Sequence, residues 1–250
     1  MAPAFQERRL EIINGIAQQT ALAIQNERVK QERVESERVN REFSLAREIQ
    51  ETFLPAHLPV FSGWEIDTRW QTARQVGGDF YDIFRLSGDR VGLVIADVSD
   101  KGMPAALFMA LTRTLIRAVV YNTPSPAETL RLVNSLIIPD NRQSMFVTAV
   151  YGVLSLETGE FTFANAGHNP PIWMSKAGKT LEPLHPTGAA LGIIEDLIID
   201  QRTISLAPDD FLLLYTDGLT EAFSPADDTF GEERLQHVAD GEELIEMIDK

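Results

Sequence analysis

The sequence predicts an α+β layered domain built from antiparallel strands, preceded by a long helix. Three observations carry this. Two short apolar runs joined by Ser87-Gly88-Asp89-Arg90 read as a hairpin. Two helical patterns follow, one opened by Pro104 and one signalled by Ser125-Pro126. The remainder is mostly short apolar or alternating runs separated by turn residues. Helices set between antiparallel strand groups favour a layered domain over a doubly wound sheet.

The first 53 residues are predicted helical. From Gln6 to Phe53 there is no proline and only one glycine, Gly15. Ile12, Ile13, Ile16, Ala17, Leu22, Ala23 and Ile24 give a broad apolar surface. Glu-Arg-Val then recurs at 27–29, 32–34 and 37–39. A period of five advances about 140° per repeat, so Val29, Val34 and Val39 form no single stripe, and this section is expected to be solvated. An apolar stripe returns at Val39, Phe43, Ala46, Ile49 and Phe53. Such a helix either packs on the following domain or pairs with a second chain as a coiled coil. Leu54-Pro55 ends it, which places the globular domain at 54–250.

In that domain, Trp64–Gln71 reads as strand-like, ahead of the hairpin. After the two helices, strands are predicted at Phe146–Leu156, Glu160–Ala166, Ile172–Met174, Leu197–Leu206 and Phe211–Thr216. The turns between them lie at Thr158-Gly159, Lys176-Ala177-Gly178 and Pro208-Asp209-Asp210. Glu232–Asp249 reads as one or two short helices.

The formal charge of -15 and pI near 4.7 argue against a nucleic-acid partner, since no excess of Lys or Arg exists to neutralise phosphates. They suit cation binding. The absence of cysteine removes disulfides, thiolate nucleophiles and Cys-ligated zinc. No apolar run suggests a membrane span and no signal peptide is visible, so a cytoplasmic protein is expected.

The chemistry is expected where strands end in aspartate. Asp79 heads the first arm of the hairpin and Asp97 closes the second, so antiparallel pairing makes them neighbours. Two adjacent carboxylates repel unless a cation lies between them. A third apolar strand, Phe211–Thr216, delivers Asp217 followed by Gly218. Any one aspartate beside glycine is an ordinary turn residue. Three at strand ends point to an oxygen-only site for a hard cation such as Mg²⁺ or Mn²⁺. His168, within Ala166-Gly167-His168-Asn169-Pro170-Pro171, is expected to be a hydrogen-bonded loop residue rather than a general acid. Asp82 and Asp100 are expected to be solvated or capping carboxylates, Asp100 beside the helix begun at Met103-Pro104.

Four segments in order resemble one family. They are Val76-Gly-Gly-Asp-Phe-Tyr-Asp82, Ala96-Asp-Val-Ser-Asp-Lys-Gly-Met-Pro-Ala-Ala-Leu107, Asn165-Ala-Gly-His-Asn-Pro-Pro171 and Tyr215-Thr-Asp-Gly-Leu-Thr-Glu221. Leu45–Gln50 with Leu54-Pro55 upstream, and Phe230–Leu235 downstream, fit as well. They resemble the SpoIIE/RsbU-type serine phosphatases of the metal-dependent (PPM, protein phosphatase 2C) superfamily, over about residues 43–240. Ile12–Arg28 more weakly resembles the closing helix of a GAF sensor domain.

The resemblance implies a four-layer α-β-β-α sandwich of two antiparallel sheets. It implies two Mn²⁺ or Mg²⁺ ions, with Asp79 serving one, Asp97 bridging both with the backbone carbonyl of Val98 beside it, and Asp217 serving the other. A metal-activated water would then hydrolyse phosphoserine or phosphothreonine. The implied substrate is a STAS-type anti-sigma-factor antagonist, and the N-terminal helix would support a homodimer. The family closes with a further acidic strand. Asp227-Asp228-Thr229 lies in the wrong place for it, so the sequence is expected to lack the last strand and one metal carboxylate. The alternative is a catalytically silent module that dimerises and binds a phosphoprotein.

Overall fold

The computed structural model describes residues 3–72, 75–123, 125–141, 144–175, 180–223 and 228–240. The chain divides into two compact units, 1–48 and 49–250. One helix, α1 (Pro3–Phe53), runs through the first and ends in the second. In the first unit Ile13, Ile16, Leu22, Ile24, Val29 and Val34 are exposed.

The second unit contains β1 (Phe80–Arg85), β2 (Arg90–Val98), α2 (Met103–Val120), α3 (Pro126–Ile137), β3 (Val147–Ser155), β4 (Glu160–Ala166), β5 (Ile172–Ser175), β6 (Thr180–Pro183), β7 (Arg202–Ser205), β8 (Phe211–Leu213), α4 (Asp217–Thr220) and α5 (Gly231–Asp240). A 3₁₀ turn, Ile138–Asp140, extends α3. The larger sheet has the order β1-β2-β3-β4-β7 and the smaller β6-β5-β8. Every strand pair is antiparallel.

Alternation along the strands separates two cores. Phe80, Phe84, Val94, Ala96, Ala149, Tyr151 and Ala164 face α2 and α3, meeting Met109, Ile116, Leu130 and Val133. Leu154, Phe161, Phe163 and Ile204 face the other way, toward Trp173 of β5 and Leu212 of β8. Phe161 and Phe163 stack at 5.8 Å between ring centroids. Helices therefore cover one face of the large sheet and the small sheet covers the other, while α5 packs beside β6. α2 has the length and mean hydropathy (1.5) of a membrane span. Its apolar face instead packs into the first core, with Ala105, Phe108, Met109 and Ile116 buried there.

Three expectations need correction. Trp64–Gln71 pairs into no sheet; only Trp64 makes a bridge, to Phe61. Its indole N–H instead reaches the Leu156 carbonyl at 3.1 Å, and that of Trp70 reaches the Asp79 carbonyl at 3.0 Å. The segment is thus fastened by side chains rather than by a ladder. The strand expected at Leu197–Leu206 shortens to β7, because Ile199 leaves the ladder to bridge Gly188. The strand β6 was not expected. Of the C-terminal helical stretch, α5 is described, and residues 241–250, like Asp227, lie outside the described residues.

Asp100 does not cap α2. The N-cap is Gly102, with no side-chain cap bond, and the Asp100 carboxylate accepts from the Lys101 amide at 2.7 Å. Asp100 holds φ +81°, in the left-handed region that costs a side chain about 1–2 kcal/mol. Glycine would relieve that strain, offset in part by its looser unfolded chain. Asp100→Gly is therefore expected to stabilise the protein by about 0.5 kcal/mol, a rise of about 1–2 °C in Tm. A lower midpoint in calorimetry would show that the Asp100–Lys101 contact outweighs the strain.

Candidate metal centre

The hairpin pairs Phe80 with Ala96, so the next pair outward is Asp79 and Asp97. Both are half-buried. Asp97 also lies opposite Thr148 of β3. The exit of β2 is held across that strand, as the Ser99 amide donates to the Phe146 carbonyl at 2.9 Å and Ser99 Oγ accepts from the Phe146 amide at 2.8 Å.

Burial pushes the Asp97 carboxyl up to about 8, with a side-chain hydrogen bond to Asp79 and repulsion from Asp79 and Asp217 adding to the rise. Val98 sits directly behind Asp79 and Asp97. A Cβ on Gly78 would come within 2.7 Å of the Val98 carbonyl oxygen, so only glycine permits this approach.

Asp217 comes within electrostatic reach of the pair, by a different route from the expected one. β8 stops at Leu213, and Asp217 is the first residue of α4, not the end of a strand. Its carboxyl is raised by burial, then by Glu221 and Asp79, while Lys101 lowers it. Thr216, just before it, donates from Oγ1 to Asp79 Oδ2 at 2.8 Å.

His168 holds the chain just beyond the end of β8. It is buried, its Nε2 lies 3.1 Å from the Tyr215 carbonyl, and its Nδ1 lies 2.8 Å from Thr148 Oγ1. A carbonyl can only accept, so Nε2 carries the proton and Nδ1 accepts from the threonine hydroxyl. Burial lowers its pKa to about 4. With both ring nitrogens engaged, His168 ties the two sheets together. Asn165 completes the turn, accepting from the His168 amide at 2.8 Å.

Asp82 is not solvated. It is buried beneath Arg117, which donates through Nε at 2.5 Å and through a terminal nitrogen at 2.7 Å, while Arg113 approaches at 3.1 Å. The signal was present in the sequence. Asp82 shares one strand face with Phe80 and Phe84, and Arg113 and Arg117 are one helical turn apart. Sequence reasoning also missed Thr216 and Gln50. Gln50, in the last turn of α1, bonds both main-chain groups of Gly77.

Residues 87–250 match the family profile described as Stage II sporulation protein E (SpoIIE). The chain belongs to the SpoIIE family. Among curated relatives of this SpoIIE-family chain, Protein IcfG of Synechocystis sp. is 34% identical over 226 residues, 79% of this chain and 35% of the relative. Phosphoserine phosphatase RsbU of Bacillus subtilis is 30% identical over 183 residues, 73% of this chain and 54% of the relative. The chain thus spans about half, or less, of these relatives. Among solved structures, the SiaA-PP2C domain of Pseudomonas aeruginosa is similar with a TM-score of 0.69 at 21% identity, covering 86% of this chain and 87% of that one. The SpoIIE-family chain therefore has the PP2C phosphatase fold, with its two antiparallel sheets and covering helices.

Proposed function

We propose that this chain is a metal-dependent protein serine/threonine phosphatase of bacterial signalling, with Asp79, Asp97, Asp217 and the Val98 carbonyl as the metal-holding set. The observation that carries the reading is the Asp79–Asp97 pair itself, two carboxylates set side by side at the mouth of the hairpin with the Val98 backbone packed against Gly78 beside them. The donor set fits a hard cation: all oxygen, three carboxylates and one carbonyl. Asp79, Asp97, Asp217 and the Val98 carbonyl would hold Mn²⁺ or Mg²⁺, which would supply positive charge for phosphoryl oxygens and make a water more acidic. Thr216 orients Asp79, and Gly78 lets the Asp79 backbone lie close to Val98. His168 has no free nitrogen for proton transfer. Lys101, exposed and within electrostatic reach of Asp217, adds positive charge at the rim for an incoming phosphoester.

The substrate is read as a serine-phosphorylated STAS-type antagonist, the family resemblance supplying the STAS part and likeness to a relative named a phosphoserine phosphatase the phosphoserine. A cytoplasmic location and a homodimer built on the exposed apolar positions of α1 belong to the same reading, as does a domain boundary near residue 53.

One observation favours a second reading, a silent phosphoprotein-binding module. Among the described residues, no group of three His, Asp or Glu side chains is close enough to hold a metal ion as it stands. Phosphate release from a serine-phosphorylated STAS domain separates the two. The enzyme reading expects release that requires Mn²⁺ and disappears in Asp217→Asn. Tight binding of the phosphoprotein with no release at any metal concentration would establish the silent module instead.

A further inference from the structure

We propose that Gln50 is a positioning residue for Asp79, through which the end of α1 sets the geometry of the carboxylate pair; this rests on the metal-site reading above. Gln50 is 3% exposed, in a helix whose neighbouring Ile49 is 60% exposed. Its Nε2 donates to the Gly77 carbonyl at 2.6 Å, and its Oε1 accepts from the Gly77 amide at 3.1 Å. One side-chain amide thereby satisfies both main-chain groups of a residue that precedes β1 and has no ladder partner there.

The next two residues transmit that fixation. Gly78 lies against the Val98 backbone with no room for a Cβ. Asp79 follows, its carbonyl held by the Trp70 indole N–H and its carboxylate by Thr216 Oγ1. Residues 77–79 are thus clamped between Gln50 on one side and Val98 on the other. Of the groups that hold this stretch, Gln50 alone is supplied by α1 among the described contacts. A buried polar amide costs stability unless both of its ends are bonded, and an apolar side chain would fill the same space without that demand. The polar groups therefore serve the Gly77 main chain rather than packing. Residues that orient metal ligands typically change metal affinity by about 10–100-fold when replaced.

The test uses the full chain with Gln50→Met, which keeps volume and helix propensity but removes both hydrogen bonds. Gln50→Glu is the second variant; it keeps an acceptor for the Gly77 amide and opposes the Gly77 carbonyl. Mn²⁺ binding is measured by calorimetry without substrate, and amide hydrogen exchange is followed at residues 77–79. Affinity is expected to fall about 10-fold in both variants, with faster exchange at those amides. Saturating Mn²⁺ is expected to restore kcat on p-nitrophenyl phosphate with KM unchanged. Either variant folding with wild-type Mn²⁺ affinity, within about twofold, overturns the proposal, even if its Tm falls. A wild-type chain that binds no Mn²⁺ overturns the metal-site reading itself, and this inference with it.

Discussion

Replacing Asp97 by Asn is expected to stabilise the metal-free protein at pH 8, leave it unchanged near pH 4, and abolish Mn²⁺ binding and hydrolysis. The sign follows from the proton. Asp97 is raised from 3.8 to about 8 in the folded chain. Between those values the unfolded chain releases its proton and the folded chain keeps it. Stability then falls as pH rises from about 4 to 8 and levels off above. Asparagine carries no such penalty and can still donate to Asp79. Water reaches part of the carboxyl and screens it, so the relief at pH 8 is about 2 kcal/mol, or about 4–8 °C in Tm. Thermal scans in chelator at the two pH values check it. An equal shift at both would mean that the Asp97 proton is not what destabilises the site. A wild-type level of phosphate release in the Asp97→Asn variant would remove Asp97 from the reaction.

Asp82→Asn is expected to be the most destabilising single change, at about 3–5 kcal/mol, because it leaves two partly buried guanidiniums facing a neutral amide. The Asp82 hydrogen bond raises the Arg117 pKa, whereas burial lowers that of Arg113. Arg113 Nε has no hydrogen-bond partner, so Asp82 is the principal compensation for its charge. This cluster fastens α2 to β1 three residues from Asp79, and α2 begins five residues after Val98. The loss should therefore appear in urea midpoints and also as weaker Mn²⁺ binding. Substituting Asp82, Arg113 and Arg117 together by apolar residues of similar size should recover much of the stability, since no charge is then left unpaired. A change below about 1 kcal/mol for Asp82→Asn would mean that water already compensates the arginines.

The hairpin was legible because its two signals are local: alternation along each arm and turn residues between them. That fixed which aspartates adjoin, since register leaves only one pairing at the mouth. Asp217 was placed by its apolar run but assigned to the wrong element. The chain leaves the sheet after Leu213, opposite the first residue of β5, and the Tyr215 carbonyl beyond it is met by His168, 47 residues earlier. No local pattern encodes such a partner. Gln50 was hidden for the same reason, being an ordinary helix residue whose role lies 27 positions away at Gly77. Asp82 was different: its strand face and the Arg113/Arg117 spacing were both readable, but a carboxylate was assumed to seek water.

The His168 tie gives the domain an acid limit opposite in sense to the limit set by Asp97. His168 is held neutral in the fold, with its pKa lowered from 6.5 to about 4. As pH falls from 6.5 toward 4 the unfolded chain gains a proton that the folded chain refuses, so stability declines in that window. Between about pH 4 and 6.5 the two trends oppose and cancel, so the metal-free protein should hold level stability there and lose it only from about 6.5 to 8, where the Asp97 decline runs alone. On the metal-site reading, a cation held by these carboxylates would displace the Asp97 proton and remove the alkaline decline alone. The cation would then act as a selective extender of the working range, carrying the stable band toward neutral and alkaline pH and uncovering below it an acid edge that the histidine sets.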